Sequence, residues 1–462
     1  MGQDVAGTVS TPADFLDELP MTRFHWLLVL GVVLAQILDG YSATANSFVL
    51  PEVIRRFALS PIQAGTLASV TNFGLLIGAL GFAILADRMG RRAIFQLVLL
   101  TYAFGGLISA VAPTYAVLLG GRFVAGLGIG AEFPVAFALL AEYSPKRYRA
   151  WLIALGPLCY GLGYVLAGVL ALAVVPFWGW RGLFWISVAP ALVIVYIRRF
   201  IPESVRYLLS KGHRDEATAI LEHVARAARR PLPVLTLNAE PTASAPAIGL
   251  SAAFRRSFRY LLALSLLYFL FFIQTFGNTA WLPTLFVKAG YSVMHSFTFT
   301  LIVFSALPCA EALGGWLQDV IPRRWAIVAL GVFGAVFFIL FGQAFQHRWP
   351  TPWTVAADVL SVLTANGVIA ILYTLGTELF PTRIRSTAMG IVTAVGRIGA
   401  IVGPLLVGAL LQLGTPIPTM INVVATPLLL GALVALILIP IDTRRRGLDQ
   451  IERQEFGGAV SP

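Results

Sequence analysis

Charge is scarce in this chain. Only 12% of its 462 residues are Asp, Glu, Lys or Arg, about half the share usual in a soluble domain. That shortfall excludes a water-facing surface over most of the molecule. Cysteine is scarcer, with two residues, Cys159 and Cys309. Both sit inside apolar stretches, so neither a disulfide framework nor a metal site is supported. The five histidines are dispersed without ligand spacing. No Walker A sequence occurs, and Gly126-Leu-Gly-Ile-Gly130 lies within an apolar run, where glycines let helices approach closely. No cofactor is therefore expected, and energy for any work must come from a gradient or from a partner subunit, with the gradient favoured because nothing here looks built to dock an ATPase. Residues 1–23 are polar and acidic, and the apolar run after them is too long for a cleavable signal peptide.

What is abundant is hydrocarbon. Hydrophobic residues make up 58% of the chain. Runs long enough to cross a bilayer core of roughly 30 Å recur throughout. Twelve are predicted, at 24–50, 61–86, 93–111, 115–141, 150–175, 182–197, 260–286, 296–318, 325–345, 353–377, 386–412 and 418–441. The fold class is therefore an all-α membrane protein. Of the basic residues, Arg55, Arg56, Arg181, Lys288 and Arg348 alone fall in the odd-numbered loops. The positive-inside rule then puts both termini in the cytosol, and the net charge of +11 reflects that bias. Basic residues scattered over loops argue against a nucleic-acid partner. The expected partners are the lipid bilayer, protons and a small solute, for a monomer in a bacterial-type inner membrane.

The chain also nearly repeats itself. Ala83-Ile-Leu-Ala-Asp87-Arg-Met-Gly-Arg91-Arg92 is answered by Gly315-Trp-Leu-Gln-Asp319-Val-Ile-Pro-Arg323-Arg324. Asn46-Ser-Phe-Val-Leu-Pro51 is answered by Asn278-Thr-Ala-Trp-Leu-Pro283, and Glu142-Tyr-Ser-Pro145-Lys-Arg147 by Glu378-Leu-Phe-Pro381-Thr-Arg383. Such parallel repeats predict two six-helix bundles that move against each other. The divisions expected are a tail 1–23, bundles 24–201 and 258–441, a connector 202–257 between them, and a tail 442–462. In the connector, Arg214 to Arg229 predicts an amphipathic helix with Ala217, Ile220, Leu221 and Val224 on one face. Pro231 to Pro246 reads as a flexible linker.

The loop after span two resembles the signature of the major facilitator superfamily. Gly121-Arg122-Phe-Val-Ala-Gly126, Pro202-Glu203-Ser204 and Asp442-Thr-Arg-Arg-Arg-Gly447 extend the resemblance. Leu19-Pro-Met-Thr-Arg-Phe-His25, Asp39-Gly-Tyr41, Gly130-Ala-Glu132-Phe-Pro134 and Gly396-Arg397-Ile-Gly-Ala-Ile-Val-Gly403-Pro404 are similar to aromatic-acid:proton symporters and the neighbouring niacin and synaptic-vesicle-protein-like transporters. Two departures stand out. That subgroup carries a second acid where this chain has Ser42, which bears on proton stoichiometry, and Ala83 stands where the loop signature begins with Gly.

Ionisable groups inside spans are costly, about 2.5–3.5 kcal/mol each on an insertion scale, so each is a site candidate. Asp39, Arg122, Glu132, Glu311 and Arg397 are so identified. Helical rise gives the depths of Asp39 and Arg122, and the resemblance, which implies that spans one and four face the same cavity, makes the two a candidate proton-coupling pair. Arg397 has three candidate partners: Glu311, Glu132 or an anionic substrate. Tyr41 and Tyr373 are candidates to stack on a ring, with Phe276 and Trp281 beside them. Asn46 and Asn278 are candidates for substrate contact or for bonds between helices. Asp87 with Arg91, Glu142 with Arg147, Asp319 with Arg323 and Glu378 with Arg383 are expected to form a cytosolic gate. The resemblance implies a non-enzymatic, proton-coupled symporter of a small organic carboxylate. A sugar or polyol symporter, an exporter of drugs or organic cations, and a non-transporting sensor stay open.

Overall fold

The computed structural model describes residues 11–233, 235, 250–380 and 384–439, the side chains of 83, 87, 250–254 and 256 aside. Most of the expected linker, Arg383, the tail 442–462 with its Asp442–Gly447 motif, and the Asp87 side chain thus lie outside the described residues. Among the described residues, sixteen α-helices carry the regular structure. Eleven helical stretches are long and apolar enough to cross a membrane, and one of them, Lys146–Phe200, runs 55 residues. Gly179 interrupts it at φ 61°, a left-handed conformation that glycine adopts without a Cβ penalty. This long stretch supplies spans five and six, which brings the described residues to the twelve spans expected.

Helices are what hydrocarbon permits, since each backbone N–H and C=O must find its partner within the segment. Span one is Arg23–Phe57, span two Pro61–Met89, span three Arg91–Val111 and span four Tyr115–Tyr143. Helix Lys146–Ile186 breaks at Gly179, span five lying before the break and span six after it, continued by helix Pro190–Phe200. Span seven is Leu250–Lys288, and span eight is broken at Ser305 into Val293–Phe304 and Ala306–Val320. Spans nine to twelve are Arg323–Gln346, Thr351–Leu379, Arg385–Gln412 and Ile417–Leu438. Span six is longer than its apolar run suggested, because helix continues through Arg198 and Arg199 to Phe200.

The chain packs as two compact units. The first comprises 1–43, 74–163 and 184–244, and the second 44–73, 164–183 and 245–462. Their limits cut through spans one, two and five.

In the first unit, Phe95, Val98, Tyr102, Leu139 and Tyr143 are buried in the core. The connector helix Arg214–Ala227 joins them. Its buried face is Ala217, Leu221, Val224 and Ala225, with Ile220 packed alongside. Short helix Pro12–Asp17, held by a Thr11–Asp14 capping box, packs there too. Arg149 on span five bonds Asp17, and Glu203 accepts from the Arg92 amide at 2.9 Å. Glu203 thereby caps span three beside Gly90, whose φ of 96° suits glycine.

In the second unit, Phe271, Ile371, Leu375 and Leu428 form the core. The C-terminal part of span one meets span eight there, with Phe48 edge-on to Phe297 and Phe304. Span two lies against span eleven, where Ser69 Oγ donates to the Ile401 carbonyl at 2.6 Å.

Candidate functional site

In the first unit, spans one and four bring six polar side chains together. Gly40 sets their position. A Cβ on Gly40 would lie 2.0 Å from the Tyr160 carbonyl oxygen, so span five packs on bare backbone directly behind Asp39. Arg122 is fully buried, and its Nη2 donates to Ser42 at the carbonyl, 3.1 Å, and at Oγ, 3.3 Å. Its guanidinium carbon stands 5.1 Å from the centre of the Phe184 ring, a cation–π arrangement. Glu132 is also fully buried and accepts from Gln36 Nε2 at 3.4 Å. Asp39 hydrogen-bonds Glu132 side chain to side chain. A bond between two carboxyl groups requires one of them to carry a proton. Tyr41, buried, bonds Ser187, and the Tyr102 hydroxyl donates to the Leu38 carbonyl at 2.5 Å.

The expected Asp39–Arg122 pair is thus replaced. Arg122 takes Ser42 as its acceptor, one helical turn beyond Asp39, and Asp39 pairs with Glu132. Helical rise gives depth along a span but not the direction a side chain faces. Ser42, where a second acid was expected, is the acceptor of the buried arginine. The acid partner of Asp39 comes from span four instead.

In the second unit, Arg397 on span eleven and Glu311 on span eight face an aromatic group. The Arg397 guanidinium carbon is 5.8 Å from the centre of the Phe272 ring. Tyr268 is edge-on to Phe272 and Tyr373, at 5.5 Å and 5.9 Å between centroids, and Phe272 leans on Phe276 at 5.3 Å. Both Arg397 and Glu311 act electrostatically on Tyr268 and Tyr373. Among the described residues, Arg397 is in no ion pair with Glu311 or any other acid. Its charge faces rings, with fork donors to spare. Asn278 donates to Asp358 at 2.9 Å, Trp281 Nε1 to the Pro404 carbonyl at 3.0 Å, and Asn46 to the Leu67 carbonyl at 3.2 Å. Both asparagines therefore tie helices together.

Asp358 escaped the sequence reading, although it lies in the apolar run of span ten. The register that aligns Glu142 with Glu378 also sets Asp358 opposite Arg122, and that signal was present. Gln36, Tyr268 and Phe272 were missed for lack of any spacing cue.

At the span ends, the expected Glu142–Arg147 and Asp319–Arg323 pairs are not formed, while the expected pairs of Asp87 with Arg91 and of Glu378 with Arg383 rest on groups outside the described residues. Arg91 bonds Glu142 at 2.5 Å, and Arg323 bonds Glu378. Each joins the start of one span to the end of the next, rather than two residues of one loop. Asp319 is exposed and in no ion pair among the described residues. Arg147 stacks over Tyr148, its neighbour, at 5.5 Å. The start of span three is held between the end of span four and Glu203.

Comparison with known proteins adds four findings. The family model described as "Sugar (and other) transporter" matches residues 28–454. The niacin transporter of Acinetobacter baylyi is 32% identical over 85% of this chain and 88% of its own length. The 4-hydroxybenzoate transporter of Pseudomonas putida is 29% identical over 89% of this chain and 92% of its own. A solved D-xylose–proton symporter superposes with a TM-score of 0.72 at 18% identity, covering 90% of this chain and 98% of that one. That likeness concerns the fold.

Proposed function

Because the chain belongs to the sugar (and other) transporter family of the major facilitator superfamily, we propose that it imports a small aromatic carboxylate together with protons. It is a membrane transporter and not an enzyme. The observation that carries the substrate class is the Arg397 guanidinium, in no ion pair among the described residues and set beside Phe272, Tyr268 and Tyr373. A guanidinium fork matches a carboxylate in two parallel hydrogen bonds. The aromatic faces and edges suit a ring attached to that carboxylate. The niacin and 4-hydroxybenzoate transporters take solutes of that description by their names.

The Asp39–Glu132 pair supports proton coupling. With one proton shared, the pair is singly charged. Losing that proton sets two carboxylates against each other in a buried site, which a rearrangement of spans one and four relieves. A proton gradient across an inner membrane drives alternating access, with both termini cytosolic and the chain working as a monomer.

Proteoliposomes test this directly. Addition of nicotinate or 4-hydroxybenzoate should alkalinise the outer medium, while nicotinamide and xylose should not. A response to xylose would favour a sugar symporter, and acidification by cationic drugs an exporter. Tight carboxylate binding with no flux would identify a sensor.

A further inference from the structure

We propose that Asp358 and Asn278 form a second proton-binding site, whose proton is exchanged during the transport cycle proposed above. Asp358 is fully buried in span ten. Its partner among the described residues is the Asn278 amide nitrogen, which donates at 2.9 Å. Among the described residues, Asp358 Oδ2 and Asn278 Oδ1 are both buried acceptors that meet no donor. A single proton on Oδ2 remedies both: the carboxyl donates to the amide oxygen while the amide donates back, closing a ring of two hydrogen bonds. Two protein oxygens fall well short of the shell that a hard cation takes, which argues against a metal. Among the described residues there is also no cluster of ligands.

The surroundings contain charges but bring none to this carboxyl. Lys288 lies on span seven, His295, Glu311 and Asp319 on span eight, Arg323 and Arg324 on span nine, and Arg397 on span eleven. None bonds Asp358.

Spans four and ten are both 29 residues long, and in shared register Asp358 answers Arg122. One repeat thus buries a fixed cation bonded to span one, and the other buries an acid bonded to span seven. A permanently protonated acid would do no more here than an asparagine. What the acid adds is the ability to release its proton. Thr354 and Ser361, both buried, lie on the same face of span ten as Asp358. That polar face leads to the end of the span, where Thr351 Oγ1 meets the Tyr291 hydroxyl at 3.0 Å.

Asp358→Asn decides the matter, since an amide pair keeps both hydrogen bonds and the fold while removing the titrating group. Infrared spectra of the full-length protein in lipid at neutral pH should show a protonated-carboxyl C=O band in wild type that Asp358→Asn lacks. Asn278→Ala should shift that band. In proteoliposomes driven by nicotinate, protons moved per nicotinate should fall by one in Asp358→Asn, with nicotinate exchange retained. Identical carboxyl bands in wild type and Asp358→Asn would overturn the site. A lost band with unchanged stoichiometry would overturn the exchange, leaving a resident proton. Absence of any nicotinate-driven proton uptake by wild type is a failure of the functional reading instead, and the infrared arm still decides whether Asp358 binds a proton.

Discussion

Replacing Arg397 separates an anion site from a structural charge. Arg397 is in no ion pair among the described residues, so Arg397→Gln strands no carboxylate and should fold without compensation. What it loses intrinsically is the contact with Phe272 at 5.8 Å, and a cation–π interaction of that kind is worth about 0.5–2 kcal/mol. What it loses in binding is a charge-assisted hydrogen bond to the substrate, worth about 1.5–3 kcal/mol. That corresponds to roughly 10- to 150-fold in affinity. Arg397→Lys keeps the charge but gives up the planar fork, so its loss should lie in this range, and Arg397→Gln should fall further. The assay is thermal stabilisation or direct binding of purified protein with nicotinate, benzoate and 4-hydroxybenzoate. Nicotinamide should bind wild type and Arg397→Gln about equally. Near wild-type carboxylate affinity in well-folded Arg397→Gln would refute the reasoning. So would a destabilised Arg397→Gln that Glu311→Gln restores, since it would reveal a structural pair.

Asp39→Asn retains a donor toward Glu132 but cannot release it, so accumulation against a gradient should vanish while substrate exchange survives. Glu132→Gln should behave alike, and wild-type accumulation by either variant would end the coupling role. Breaking the half-buried Arg91–Glu142 pair by Arg91→Ala should cost about 1–3 kcal/mol, between exposed and buried pairs. The exchange Arg91→Glu with Glu142→Arg should recover part of that loss in thermal unfolding, whereas Asp319→Asn should be nearly neutral. Gly40→Ala puts a methyl 2.0 Å from the Tyr160 carbonyl, and should cost about 3 kcal/mol or more through backbone displacement. Its control is Gly81→Ala, which meets nothing within 4 Å and should leave the unfolding midpoint unchanged.

Twelve crossings, the repeat of Asp87 and Asp319 loops, and the amphipathic connector helix were all legible in the sequence. The reason is that hydrocarbon forces each span to satisfy its backbone locally, so run length and composition decide a helix without reference to any partner. Repeats are equally local, because Glu142 and Glu378 share a register whatever they touch. The same register placed Asp358 opposite Arg122, a cue available from the letters alone. Which groups meet was another matter. Arg122 turns to Ser42, Asp39 to Glu132, Arg91 to Glu142, and Arg397 to a ring in preference to Glu311. Rise per residue gives depth along each span, but the rotation of a helix about its axis comes from packing, such as Gly40 against Tyr160. The sequence by itself determined how many helices cross and how deep each charge sits. The tertiary structure alone decided which charges face one another, because neighbouring helices set those rotations.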